Sequence, residues 1–139
     1  VLLADIAARK GDLKDAIELL KQSSKLKKSG KNSQTEARLG DLYWKLGEKT
    51  TALKHYTNAA DAGNFDAMVK LADRQYLEGR YKLAEKYYKK ALEHLPKDSG
   101  YEQWLHYQYG KLTHKRDYLE KAAAAGGEIG EAAKIYLQR

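Results

Sequence analysis

The sequence LGDLYWKLGEKTTALKHYTNA at residues 39–59 is followed, 32 positions later, by LADRQYLEGRYKLAEKYYKKA at residues 71–91. Each stretch begins with a leucine and a small residue, has a glycine eight positions after the leucine, and ends in Ala-x3-Tyr-x2-Ala. Roughly six independent positions would have to coincide by chance, so composition does not explain the match. The chain therefore contains a repeated structural unit, and we expect the fold to follow from it.

Each copy is predicted to be a hairpin of two α-helices. Small residues recur where the two helices must approach closely, and tyrosines fill the space beside them. The small positions are Gly40, Ala52 and Ala59 in the first copy and Ala72, Ala84 and Ala91 in the second. A single hairpin cannot bury its own apolar stripe, so stability has to come from neighbouring hairpins that stack into a continuous core.

These positions resemble the tetratricopeptide repeat. The resemblance rests on Leu39-Gly40-x2-Tyr43, on Ala52-x3-Tyr56, and on Pro96 at the end of the second copy, where the family places its proline. The ending at residues 56–63, followed by Asp66-Ala67, is similar to the Sel1-like variant, and residues 119–126 repeat that ending 63 positions later. The resemblance implies a scaffold for protein-protein interaction that binds a peptide or partner protein in the concave groove of a helical-repeat superhelix.

The predicted fold class is all-α: a right-handed α-solenoid of about four antiparallel helical hairpins and a C-terminal capping helix, in one domain over residues 1–139. The hairpins are expected at about residues 1–28, 34–63, 66–96 and 99–126, and the capping helix at 128–138. In the first hairpin, Gly11 is predicted to end one helix and Asp12 to begin the next. Because the chain opens on Val1 rather than Met, we expect it to be part of a longer protein.

Composition excludes several kinds of site. The chain has no cysteine, which excludes disulfides and cysteine-based zinc sites. Its mean hydropathy is −0.78, and no apolar run approaches the roughly 18 residues needed to cross a bilayer, so no membrane insertion is expected. These features leave the cellular compartment open.

No catalytic, cofactor-binding or metal-binding constellation is evident, and the protein is predicted not to be an enzyme. The chain lacks a glycine-rich phosphate loop. Its histidines lack the i, i+4 spacing that would place two imidazoles on one metal ion; they are His55, His94, His106 and His114. Carboxylates are plentiful, but solvated helix faces explain them.

The resemblance implies a concave groove lined by the first helix of each hairpin. It also implies that the residue after the small core residue faces this groove, and an aspartate occupies that place three times, as Asp5, Asp41 and Asp73. The other expected groove residues are Trp44 and Tyr76 one turn further along, Val69 one turn earlier, and Lys45.

An acidic groove with aromatic walls predicts the chemistry of the ligand. We expect a peptide with Lys or Arg beside an apolar residue, because carboxylates pair with the cation and aromatic rings accept its aliphatic stem. The alternative is RNA binding, which the net charge of +7 and the many tyrosines favour, although groove aspartates would repel phosphates. A lysine-rich loop at residues 25–31 is a further basic surface.

The stretch 101–112 carries more aromatic residues than one apolar stripe needs. Trp104, Tyr107 and Tyr109 are therefore a possible second surface, which predicts weak self-association or docking of another segment. Ordinary packing within a terminal helix is the alternative.

Overall fold

The computed structural model of the protein describes residues 2–26 and 33–139, and the side chains of residues 10–22 and 33–139. Within these ranges it contains eight α-helices and no strand: α1 Leu2–Leu26, α2 Ser33–Leu46, α3 Lys49–Asp61, α4 Phe65–Leu77, α5 Tyr81–Glu93, α6 Glu102–Thr113, α7 Arg116–Ala124 and α8 Gly127–Leu137. The predicted fold class, an all-α helical-repeat fold, is confirmed. The chain divides into two compact units, unit 1 at residues 1–67 and unit 2 at residues 68–139.

In unit 1, α2 and α3 form a hairpin around a small residue and a tyrosine. A Cβ atom added at Gly40 would lie only 2.8 Å from the ring of Tyr56, so the glycine lets the ring lie against the helix backbone. Tyr56 is fully buried, and its hydroxyl donates a hydrogen bond to Asp41 Oδ1. The next small positions, Ala52 and Ala59, are also fully buried. The predicted close approach of these two helices is therefore present.

Helices α4 and α5 reproduce this arrangement in unit 2. Ala72 replaces the glycine, Tyr88 is fully buried, and the Tyr88 hydroxyl donates to Asp73 Oδ1. Both residues of this hydrogen bond lie 32 positions after their counterparts in unit 1. The repeat in the sequence is therefore a repeat of a specific buried hydrogen bond as well as of helices.

The turns of the two hairpins are also equivalent. Gly47 has a φ of 90° and Gly79 a φ of 77°, a left-handed conformation that glycine adopts without strain. The amide of the next residue then bonds back to a carbonyl five residues earlier, from Glu48 to Tyr43 at 3.0 Å and from Arg80 to Gln75 at 2.9 Å. This pattern ends a helix while satisfying its last carbonyls.

Helices α6, α7 and α8 complete unit 2. A Cβ atom added at Gly110 would lie 2.9 Å from Leu119, so α6 and α7 approach closely where a leucine takes the place of the tyrosine. His114, with a φ of 58°, ends α6 in the left-handed conformation that glycines supply in the first two hairpins. The predicted capping helix corresponds to α8, whose Ala133 is buried in one cluster with Leu119 and Ala122.

The prediction that a helix ends at Gly11 is wrong. Helix α1 runs without interruption from Leu2 to Leu26, so residues 1–28 do not form the predicted hairpin. Glycine inside a helix costs only about 1 kcal/mol relative to alanine, which a long helix tolerates. Gly11 is also not among the residues with positive φ, the conformation that a helix-ending glycine adopts.

None of the helices in the described ranges is long and apolar enough to span a membrane.

The two helical glycines Gly40 and Gly11 give opposite expectations on substitution by alanine. Gly40→Ala should destabilise the fold by about 1–3 kcal/mol, because the fully buried Tyr56 ring has no free space into which to move. Gly11→Ala should stabilise it by about 0.5–1 kcal/mol, since nothing lies within 4 Å and alanine favours helix. Urea unfolding of both variants measures the difference, and equal effects would contradict the close approach at Gly40.

Candidate binding surface on helices α4 and α6

A shallow pocket of about 280 Å³ lies on unit 2 where α4 meets α6. Its lining combines aromatic, apolar and charged side chains: Asp73, Arg74, Tyr76, Leu77, Trp104, Gln108 and Lys111. Leu77 is 67% exposed. These residues of α4 and α6 are called the α4–α6 surface below.

A buried hydrogen-bond network holds α4, α5 and α6 in place beneath this surface. Asp73 Oδ1 accepts from the Tyr88 hydroxyl and from Trp104 Nε1 at 2.9 Å. Gln108 Nε2 donates to the Tyr88 hydroxyl oxygen at 3.1 Å, so the network includes one residue or more from each of three helices. Because its nitrogen is fixed by Asp73, the Trp104 indole has a defined orientation in the pocket wall.

Burial governs the electrostatics of Asp73. It raises the pKa of this carboxyl above its ordinary value, although the hydrogen bonds from Tyr88 and Trp104 act in the opposite direction. The same burial, together with the neighbouring carboxylate, raises the pKa of the Tyr88 hydroxyl. Asp73 therefore serves as an internal hydrogen-bond acceptor, which leaves less of its charge for a ligand.

Lys111 supplies a half-buried cation to the α4–α6 surface. Its Nζ lies 4.8 Å from the ring centroid of Tyr76, 4.7 Å from that of Tyr107 and 5.6 Å from that of Tyr136. Such contacts stabilise a cation by about 0.5–2 kcal/mol without neutralising it. No carboxylate pairs with Lys111 in the part of the chain that the structure describes. Its positive charge is therefore available to a ligand.

The predicted groove residues of unit 1 lie on α1 and α2. Asp41 is half-buried and accepts from Tyr56, and Trp44 is half-buried with Lys49 Nζ 5.4 Å from its ring. Lys45 is exposed. Asp5 lies on α1, but its side chain is outside the described residues, as are residues 27–31 of the predicted lysine-rich loop. Residues 25–26 of that predicted loop belong to α1 instead. A ligand-binding role for these residues stays a prediction.

Two predicted surface residues belong to the core instead. Val69 is only 2% exposed and Tyr109 only 4%, so neither is accessible to a ligand. Tyr109 packs edge-on against Tyr118 with 4.9 Å between ring centroids. Spacing in the sequence does not show which side of a helix packs against its neighbours, and both side chains lie on the packed side.

The two remaining members of the predicted second surface are half-buried. Tyr107 packs edge-on against Tyr136 of α8 with 6.0 Å between centroids, and Trp104 bonds to Asp73. Part of the aromatic surplus in α6 is therefore used within the chain. Self-association stays a prediction, which light scattering over a concentration range would test.

Sequence reasoning missed Lys111 and Leu77. Gly40 and Gly110 both lie where the partner helix approaches closely. Lys111 follows Gly110 as Asp41 follows Gly40, so an alignment of these two glycines would have identified Lys111 as a candidate surface residue. The turn after α6 has His114 where the earlier hairpins have Gly47 and Gly79, which hid the correspondence. Leu77 carried no signal, because an exposed leucine and a buried one look alike in sequence.

Two histidines of the described residues lie between neighbouring helices. No three His, Asp or Glu residues whose side chains are described come together as a metal site. His55 Nδ1 lies 2.6 Å from Glu36 Oε2 and its ring stacks on Tyr43. Burial lowers the pKa of His106. Each of these histidines is part of the packing between neighbouring helices.

Comparison with known families agrees with the repeated hairpins. Residues 37–100 match the family model of the tetratricopeptide repeat. The match covers the hairpins α2–α3 and α4–α5 and ends before α6. No curated protein matches the chain significantly.

Asp73 gives a test of the network. Asp73→Ala should cost about 1–3 kcal/mol, because the buried Tyr88 hydroxyl and the Trp104 N–H lose their acceptor. Asp73→Asn keeps an acceptor oxygen and should cost less. Glu93→Ala, at an exposed position of α5, should change stability by less than about 0.5 kcal/mol.

The same variant gives a dependence on pH. Since the folded-state pKa of Asp73 is raised, its contribution to stability is largest at low pH and is lost as pH rises through that pKa. Wild type should therefore gain stability relative to Asp73→Asn as pH falls from 7 towards 4 (roughly the ordinary Asp pKa). If the difference in free energy of unfolding between wild type and Asp73→Asn stays constant over this range, burial does not raise the pKa of Asp73.

Proposed function

We propose that this chain, whose residues 37–100 are tetratricopeptide repeats, binds a partner protein by accepting one of its peptide segments on the α4–α6 surface. Proteins of this family are generally scaffolds for protein interaction and typically are not catalysts. The observation that carries the proposal is the pocket in which Leu77 is exposed beside Tyr76, Trp104 and Lys111.

The composition of this surface supports peptide binding. Aromatic and cationic side chains that surround an apolar centre are typical of the residues that dominate binding energy at protein interfaces. Trp104 is fixed by Asp73, and Tyr76 is held between Lys111 at 4.8 Å and the Tyr81 ring at 5.3 Å. Side chains that are already ordered lose less conformational entropy when a ligand binds.

An apolar side chain of the partner would occupy the pocket against Leu77 and the rings. The preference for a neighbouring Lys or Arg, which we expect from the aspartates, requires carboxylate charge that faces the ligand. Asp41 and Asp73 each accept a hydrogen bond from a buried tyrosine. The apolar anchor is therefore the better supported part of the proposal.

Nucleic-acid binding is a second candidate, supported by the outer face of α5. Lys82, Lys86 and Lys89 are exposed at helical spacing and line one shallow pocket with Glu85. Such a stripe fits a phosphate backbone, for which binding weakens steeply as salt rises. The interposed carboxylate of Glu85 counts against it.

Leu77→Ser tests the proposed peptide surface. We expect peptides selected from a random array to bind the variant about tenfold more weakly, since the apolar anchor is lost. Its thermal stability should change little, because Leu77 is largely exposed. Leu83→Ser, at a leucine of α5 that is 41% exposed, is the matched control. Equal losses in both variants, or none in Leu77→Ser, would place the binding surface elsewhere.

A salt titration with single-stranded RNA tests the second candidate. If the α5 stripe binds RNA, the triple variant Lys82→Gln, Lys86→Gln and Lys89→Gln should reduce the slope of log affinity against log salt by about 2, at roughly 0.7 per phosphate contact. Peptide binding by the same variant should be unchanged. If the substitutions leave the salt dependence of RNA affinity unchanged, the α5 stripe is excluded as the RNA-binding surface.

A further inference from the structure

A second pocket in unit 2, of about 360 Å³, lies between α6, the start of α7 and the end of α8. Its lining is Gly110, Lys111, His114, Arg116, Leu119, Tyr136 and Arg139. Three of these side chains are cationic, one is a histidine, and none is acidic. We propose that this cationic pocket binds a phosphorylated side chain of the partner segment that occupies the α4–α6 surface, and the inference therefore rests on the proposed function.

Two of the three cations of this pocket lie beside the same aromatic ring. Lys111 Nζ lies 5.6 Å and Arg139 Cζ 4.8 Å from the centroid of the Tyr136 ring. Two like charges beside one ring repel each other, and a nearby anion would offset that repulsion. None of Lys111, Arg116 and Arg139 has a carboxylate partner among the described side chains. A bound anion would supply the missing negative charge.

Arg116 is oriented by the fold. Its Nη1 donates to the carbonyl oxygen of Leu137 at 3.0 Å. A guanidinium carries five N–H donors, so the others stay available to a ligand. Because the group is planar and its direction is fixed at one end, it is suited to bidentate contact with the oxygens of an anion.

Charge favours phosphate over carboxylate as the ligand. A phosphorylated side chain carries nearly two negative charges and three acceptor oxygens at neutral pH. Three cations around one pocket match this charge better than they match a single carboxylate. Both pockets share Lys111, so one bound segment can place an apolar residue on the α4–α6 surface and a phosphate in the cationic pocket.

The first experiment uses inorganic phosphate as the probe, followed by NMR of the isotope-labelled full chain at constant ionic strength. We expect phosphate to shift the resonances of residues 110–116 and the guanidinium signal of Arg116. Arg116→Gln should weaken this binding about tenfold, and Arg116→Lys should weaken it less, since charge remains but the planar fork is lost. Lys54→Gln, which removes the same charge from an exposed position of α3, should leave it unchanged.

A second variant separates loss of binding from loss of folding, because it keeps the hydrogen bond of Arg116. Arg139→Gln leaves that bond intact and should also weaken phosphate binding, with an unchanged Tm. Equal weakening by Lys54→Gln and Arg116→Gln, or shifts spread evenly over the surface lysines, would overturn the pocket as a site.

The second experiment compares a selected peptide in serine and phosphoserine forms. We expect the phosphoserine form to bind about tenfold more tightly, and Arg116→Gln to abolish that gain while leaving the serine form unaffected. A peptide that depends on Leu77 but gains nothing from phosphorylation would overturn this inference alone. Phosphate binding without any peptide binding would overturn the proposed function and, with it, a protein source for the phosphate. Stronger binding of single-stranded RNA, also lost in Arg116→Gln, would assign the pocket to nucleic acid.

Discussion

A buried tyrosine hydroxyl has to find an acceptor, and that requirement shapes each of the first two hairpins. The ring of Tyr56 can lie against α2 only because Gly40 has no side chain, and the hydroxyl then reaches the carboxylate of the next residue, Asp41. Tyr88 donates the equivalent hydrogen bond to Asp73 in unit 2, where Ala72 takes the place of the glycine. The small residue gives the tyrosine ring its space, and the aspartate gives the buried hydroxyl its hydrogen-bond acceptor. The three residues therefore depend on one another.

The hairpin of α6 and α7 departs from that device, and its departure changes the charge of the surface. Leu119 takes the place of the tyrosine against Gly110 and has no hydroxyl to satisfy. The residue after the glycine therefore does not have to accept a hydrogen bond from the core, and it is Lys111 rather than an aspartate. A change in the core of one hairpin thus accounts for a cation among the half-buried aromatic residues of unit 2. Both proposed binding sites depend on this lysine.

The sequence allowed the helices of the matched repeats to be predicted because their signals are local. Leucines at helical spacing and glycines at fixed offsets determine where α2 to α5 begin and end. Gly11 misled because glycine is compatible with both a helix interior and a helix end, and only packing decides between them. Val69 was assigned to the groove because spacing alone does not show on which side of a helix the neighbouring helix lies. The cationic pocket combines side chains from three helices, so no single stretch of sequence contained it.

The hydrogen bond between Trp104 and Asp73 has an optical consequence. The fluorescence emission of an indole depends on the polarity and charge around its nitrogen. The Trp104 Nε1–H donates a hydrogen bond to the carboxyl group of Asp73. The chain has two tryptophans, Trp44 in unit 1 and Trp104 in unit 2. Each unit therefore carries its own fluorophore. Replacing Trp44 with phenylalanine would leave a chain whose fluorescence reports the ionisation of Asp73 and the melting of unit 2, without any added dye.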